Sequence, residues 1–362
     1  LALAASLATT AALYGSSLQF GFLLDDAMDL PRASGNSYSQ ILTSAGDSAY
    51  YRPVVLLVWK TLYELLGRHD PLILHGLCLG AHSLNGLLVY LLVSRLAGRA
   101  TGGAALLLFA VFPFGYQAVS HINSFFHLVV TGCVLGALLV YSYGRSHSSP
   151  MWLALALALG AAGCLTHEYG VVVVAVIVLF EGREYLLGRA VRIAWPVAFL
   201  VLAAAYGFVW WTMPRWQTNW ALDLANIRVN AAYLAQGMLF PLVALLPEIA
   251  KLLPLGSEGI MATVSVLALA LGLFLVRLNR AQTLLLTAVG WYYVAILPAM
   301  LLLPYHTYLV DAPRLMYFAA GPAALVWALA VSALLGLPAR WMMASTAVFL
   351  LAVIGLTWPA AS

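Results

Sequence analysis

Residues 72–97 read LILHGLCLGAHSLNGLLVYLLVSRLA, a run with no acid and one base, Arg95. As a helix, a stretch of this length crosses the roughly 30 Å of a bilayer's hydrocarbon. Similar runs lie on both sides of it, at Leu1–Phe20, Thr101–Ala118, Phe125–Tyr143, Met151–Leu165, Tyr169–Phe180, Ile193–Met213, Ile260–Val276, Thr283–Leu303, Leu315–Leu335 and Trp341–Pro359. Together they predict an all-α, polytopic transmembrane bundle of about eleven spans. Composition agrees: 64% of residues are hydrophobic and 8% charged, against about 25% charged in a soluble domain. That excludes a soluble globular protein and offers no basic surface for nucleic acid. No Gly/Ser linker or charged tail divides the chain, so residues 1–362 are read as a single transmembrane domain. Leu1–Phe20 is long enough to span and is read as a retained first helix.

Orientation follows from arginine. Arg95, Arg99, Arg145, Arg183, Arg189, Arg192, Arg277, Arg280 and Arg340 fall on one side, with only Glu181 and Glu184 of the chain's 13 acids. By the positive-inside rule that side is cytoplasmic. The external side then receives a first loop over residues 21–70 and a second region over 214–259. Within the latter, Asn230–Leu246 is broken by Pro241 and Pro247 and is read as re-entrant or interfacial. Val54–Leu66 is too short to span and carries Lys60 and Glu64, which predicts a helix on the outer surface. Cys78, Cys133 and Cys164 fall in predicted spans without CxxC spacing, so they predict packing, not a zinc site. The tryptophans of 211–220 suit an interfacial belt, or else contacts with a sugar or lipid.

The external loop opens on Leu23-Leu24-Asp25-Asp26-Ala27-Met28-Asp29-Leu30. Adjacent carboxylates where a span meets water are either solvated helix-end acids or members of a cavity, because acids near lipid are costly. The order of motifs further along the chain favours the second reading. Tyr50-Tyr51-Arg52-Pro53 precedes the surface helix, and His75, His82 and Asn85 lie on the next span. Phe112-Pro113-Phe114-Gly115 leads to His121, then come His167-Glu168-Tyr169 and finally Asp311-Ala312-Pro313-Arg314-Leu315-Met316-Tyr317.

In this order the sequence resembles the GT-C membrane glycosyltransferases that use polyprenyl-phosphate sugars, and within them the protein O-mannosyltransferase and TMTC-type branch. The resemblance covers roughly Leu1–Gly321. It departs from the family's pattern at Arg314-Leu315-Met316-Tyr317, which lacks the first tyrosine of an Arg-Tyr-x-Tyr-like motif, and at His167-Glu168, where relatives carry Lys-Glu.

The resemblance implies a GT-C-like bundle that transfers a sugar from a polyprenyl-phosphate donor to an acceptor hydroxyl on the external face, with inversion. The partners implied are the lipid-linked donor, membrane lipids and a protein or glycan acceptor, with other membrane subunits as a further class. Asp25 or Asp26 is then the catalytic base. Arg314, Arg52 and Tyr317 form the donor phosphate site, since guanidinium forks match phosphate oxygens. Glu168, His167 and His121 are further site candidates on the same side. Asp25, Asp26 and Glu168 could share a divalent cation, although nothing in the chemistry demands one. His75 and His82, two turns apart on one helix face, are read as packing or hydrogen-bonding residues. Arg314 as a snorkelling helix anchor and Arg52 as a partner of Asp47 are the structural alternatives.

Two other classes stay open. A transporter would show Gly/Pro-broken helices in matching halves, and only Asn230–Leu246 is so broken. A non-catalytic, transferase-like subunit would keep the fold with degraded motifs. The Ala/Leu/Gly bias points to a bacterial inner membrane, with the site on the periplasmic face.

Overall fold

The computed structural model describes residues 2–23, 25–46, 48–147, 149–214, 223–240, 280–302 and 312–335. Among these there is no strand. The helices are α1 (Ala2–Tyr14), α2 (Asp26–Gly35), α3 (Tyr38–Thr43), α4 (Pro53–Leu66), α5 (Pro71–Ala97), α6 (Arg99–Ala110), α7 (Tyr116–Ser120), α8 (Phe125–Gly144), α9 (Pro150–Thr166), α10 (Val172–Leu186), α11 (Ala194–Thr212), α12 (Leu224–Leu234), α13 (Gln236–Leu239), α14 (Arg280–Leu302) and α15 (Ala320–Leu335).

Local chemistry sets the boundaries. Asp70 caps α5 by accepting the N–H groups of Leu72 and Ile73 (3.0 and 3.4 Å), and Pro71 supplies the first helical residue, where its missing N–H costs nothing. The helix stops at Gly98, whose φ of +95° a side chain would resist. Between α2 and α3, Ser37 and Gln40 form a reciprocal capping box that starts α3.

Five helical stretches among the described residues are long and apolar enough to cross a membrane, or six if the bent pair Arg99–Ala110 and Pro113–Ser120 is one span. The expected count of about eleven is thus not confirmed among the described residues, where the expected spans depart from single long helices in three ways. First, the helical run from α1 tightens to a 3-10 turn at Gly15–Gln19, where Ser17 bonds back to the Tyr14 carbonyl (2.7 Å). Second, the span expected at Thr101–Ala118 bends by 52° where Pro113, lacking an N–H, interrupts it. Third, α9 and α10 have only 17 and 15 residues, separated by an extended His167. The spans expected at Ile260–Val276 and Trp341–Pro359 lie outside the described residues, as do Arg277, Arg340 and 241–259 of the second external region. Of the segment Asn230–Leu246, residues up to Phe240 are described, in α12 and α13.

α5 packs along α6, α8 and α1, α8 along α9, and α15 against α6 and α14. α8 and α10 run from a cavity that carries both acids and arginines at one end to an arginine cluster at the other. There Glu181, 2% exposed, accepts from Arg145, from the Tyr141 hydroxyl (2.8 Å) and from the Arg192 backbone (2.9 Å). Glu184 pairs with Arg183 and Arg189, each at 2.9 Å. Four of the bases grouped by sequence, Arg145, Arg183, Arg189 and Arg192, thus gather at one end of the bundle, and Glu181 and Glu184 are buried among them.

α4 packs Val55, Leu56 and Trp59 inward and leaves Leu65 and Leu66 exposed. With α2 it borders the cavity, and α3 packs on its other side chains.

Candidate functional site

The two adjacent aspartates face in different directions. Asp26 is 1% exposed, and its carboxylate accepts the backbone N–H of Leu23 (2.8 Å) and of Asn123 (2.7 Å). Burial pushes the Asp26 carboxyl above the usual carboxylate range, while these two N–H bonds pull against the shift. Asp25 keeps 45% of its side chain exposed and accepts from the Asn123 amide (2.9 Å). Its Oδ2 lies 3.8 Å from Arg314 Nη2. Asn123 therefore holds both acids, one through its backbone and one through its side chain.

Arg52 precedes Pro53 at the start of α4, and its Nε and Nη2 both donate to Glu168 Oε2 (3.0 and 2.7 Å). The guanidinium also lies 4.2 Å from the centroid of the Tyr50 ring. Glu168 is presented by the break after α9: His167 is extended, and a 3-10 turn, Glu168–Val171, follows. Gly170 permits this turn, because a Cβ there would meet the backbone of Gly163 and Cys164 at 2.4 Å. The Tyr169 N–H lies 3.2 Å from Nδ1 of buried His167, and that nitrogen is also 3.3 Å from Glu168 Oε2. The His127 ring packs against it at 4.8 Å.

These groups surround one cavity of about 440 Å³, lined among others by Asp25, Asp29, Arg32, Arg52, Asn123, His127, His167, Glu168, Trp210 and Arg314. Five residues singled out from sequence converge here: Asp25, Arg52, His167, Glu168 and Arg314. Asp26, His121 and Tyr317 do not line it. His121 is half-buried between α7 and α8, where burial, and after it Arg314, hold the imidazole below its ordinary value. Tyr317, expected at the donor phosphate, is 1% exposed and turned inward, with its hydroxyl on His82 and Asn85. One turn beyond Arg314, the ring is already inside the bundle. Arg52 pairs with Glu168; Asp47 is outside the described residues.

Sequence reading missed Asp29, Asn123, His127 and Trp210. Asp29 carried a usable signal, since it follows Asp25 by one helical turn on the same face. Burial pushes its carboxyl upward, opposed by Arg32 and Arg52. The others carried none, because each reaches the cavity from a separate helix or turn.

The trio Asp25, Asp26 and Glu168 does not form a ligand set. Asp26 commits both oxygens to backbone N–H groups and Glu168 is tied to Arg52. Among the described residues, no group of three His, Cys, Asp or Glu side chains is arranged to hold a metal ion.

No family model matches the sequence, and no curated protein does. Among solved structures the chain is similar to the crystal structure of the Archaeoglobus fulgidus oligosaccharyltransferase in complex with Zn and sulfate. The TM-score is 0.53 at 15% identity, over 99% of this chain and 52% of that one. The chain thus spans about half the length of that transferase. At such identity the likeness concerns the fold. The described residues thus form an all-helical bundle, with helices long and apolar enough to cross a membrane, whose fold is like that of this oligosaccharyltransferase.

Proposed function

We propose that the protein is a membrane glycosyltransferase that moves a sugar from a polyprenyl-phosphate donor to an acceptor hydroxyl, with inversion, at the cavity end of the bundle. The observation that carries this reading is the placing of an accessible carboxylate, Asp25, beside a guanidinium, Arg314, at one cavity. Sugar transfer from a phosphate needs those two charges and no covalent nucleophile. Asp25 takes the proton of the acceptor hydroxyl as its oxygen bonds the anomeric carbon, while the bond from that carbon to the phosphate oxygen breaks. The phosphate leaves with the electron pair, and Arg314 stabilises its charge. Asp25, being exposed, returns the proton to water. Asn123 orients the base; Arg52 and Glu168 neutralise one another and shape the cavity wall, a structural task in place of direct phosphate binding.

The O-mannosyltransferase and TMTC-type branch is proposed from the sequence motifs, and the A. fulgidus neighbour supports only the broader transferase class. The cavity end is proposed to face the periplasm of a bacterial inner membrane, opposite the arginine cluster. Residues 1–362 act as one transmembrane unit, with residues 21–70 and 214–259 external and a protein or glycan as the acceptor. That neighbour was crystallised with Zn; a divalent cation here would have to use Asp25 with ligands other than Asp26 and Glu168, so no step runs through one.

A second reading has one observation in its favour. Only 17% of the apolar window of α11 is buried, a free face that suits a non-catalytic subunit seated against a partner. Transfer of labelled sugar by the purified protein, across a panel of polyprenyl-phosphate donors, separates the two. Transfer from at least one donor is expected; none from any donor overturns the enzyme reading.

A further inference from the structure

Arg314 does not sit on an ordinary helix. It lies in the 3-10 segment Pro313–Ala319, seven residues long, whereas such helices rarely exceed about three to four residues because their hydrogen-bond geometry is poorer. Something outside the segment must hold it. Side chains three apart eclipse in this geometry, so Tyr317 lies on the Arg314 face, about 6 Å further along the axis. Its hydroxyl accepts from Asn85 Nδ2 (3.1 Å) and shares a second hydrogen bond with His82 Nδ1 (2.8 Å). Asn85 is anchored in turn, since its amide also donates to the Leu128 carbonyl on α8 (2.9 Å). The Tyr317 ring is wedged against Phe109 (5.7 Å between centroids), and His82 stacks on that same Phe109 (5.2 Å). All four side chains are nearly excluded from solvent, where a hydrogen bond left unmade is costly.

We propose that Tyr317, latched to His82 and Asn85 on α5, is a positioning residue that sets the depth and direction of Arg314 toward the donor phosphate. The role rests on Arg314 being the phosphate ligand of the proposed function. The latch ties the arginine-bearing turn to the longest described helix, 235 residues earlier in sequence, so that the guanidinium meets the phosphate with its backbone already ordered.

The test is a double-mutant cycle on polyprenyl-phosphate binding, read as Kd with purified protein, beside the melting temperature of the ligand-free protein. Tyr317→Phe keeps the ring and removes the hydroxyl. It removes two hydrogen bonds, of which only part is felt at Arg314, and is expected to weaken binding about tenfold, but to add nothing in an Arg314→Ala background, because it acts through Arg314. If Tyr317→Phe does not fold, His82→Phe removes one of the hydroxyl's two partners and must show the same dependence on Arg314. Parent binding that depends on Arg314, together with a latch variant that is neutral or fully additive with Arg314→Ala, overturns the latch alone. Parent binding that is absent, or indifferent to Arg314→Ala, overturns the phosphate-site reading and the latch with it.

Discussion

Replacing each aspartate of the pair by asparagine separates chemistry from architecture. Asp25 faces the cavity, accepts one side-chain hydrogen bond and is 45% exposed in its side chain. Asp25→Asn therefore leaves no buried group unpaired, and its effect on stability should stay within about 0.5 kcal/mol, as for surface changes. If Asp25 is the base, turnover falls by about 100- to 10,000-fold, the usual contribution of positioned base catalysis, while donor binding is retained. Asp26 predicts the reverse. Its two oxygens accept two backbone N–H groups in a site 1% exposed. An asparagine there offers one carbonyl oxygen and turns an NH₂ toward the other N–H. An unsatisfied buried donor costs about 1–3 kcal/mol. Asp26→Asn should therefore lower the melting temperature by several degrees yet, once folded, keep turnover within about tenfold of the parent. The assay is labelled-sugar transfer at saturating donor, paired with thermal unfolding of the same preparations in detergent. Full turnover in Asp25→Asn, or a turnover collapse confined to Asp26→Asn, would refute the assignment of roles.

Three further outcomes are expected. Arg52→Gln or Glu168→Gln alone should destabilise by roughly 1–3 kcal/mol, between the values for exposed and buried pairs, whereas the double variant should cost less than the sum; additive losses in chemical unfolding would mean that the 2.7 Å pair is incidental. Because burial raises the Asp29 carboxyl above its ordinary 3.8, its favourable contribution is complete below that pH and lost as pH rises through the raised value, so the parent's melting temperature should fall relative to that of Asp29→Asn over that window; a constant difference across pH contradicts it. Ser39, exposed on α3 and outside its capping box, should as Ser39→Cys react with an impermeant thiol reagent on intact cells; labelling only after lysis would invert the topology and move the cavity to the cytoplasm.

Much of the architecture is written locally in the chain. Asp70-Pro71 followed by an uninterrupted apolar run can only begin a long helix, and lipid leaves its backbone no other partners. The arginines that close α5, α8 and α10 mark one end of the bundle because charge cannot rest at mid-membrane, and the acids after α1 mark the other. What the sequence left undecided is which of those acids meets the cavity. That depends on an N–H from Asn123, 97 residues away, which captures Asp26 and leaves Asp25 outside. Likewise the residues at 52 and 168 each look like a free charge until the fold joins them across 116 positions, and Tyr317 reads as a phosphate ligand until His82 and Asn85 draw it inward. Hydropathy and capping act within a few residues and survive translation into sequence pattern. The direction of a polar side chain in a low-dielectric interior is decided by whichever distant partner satisfies it, and only the packed bundle supplies that partner.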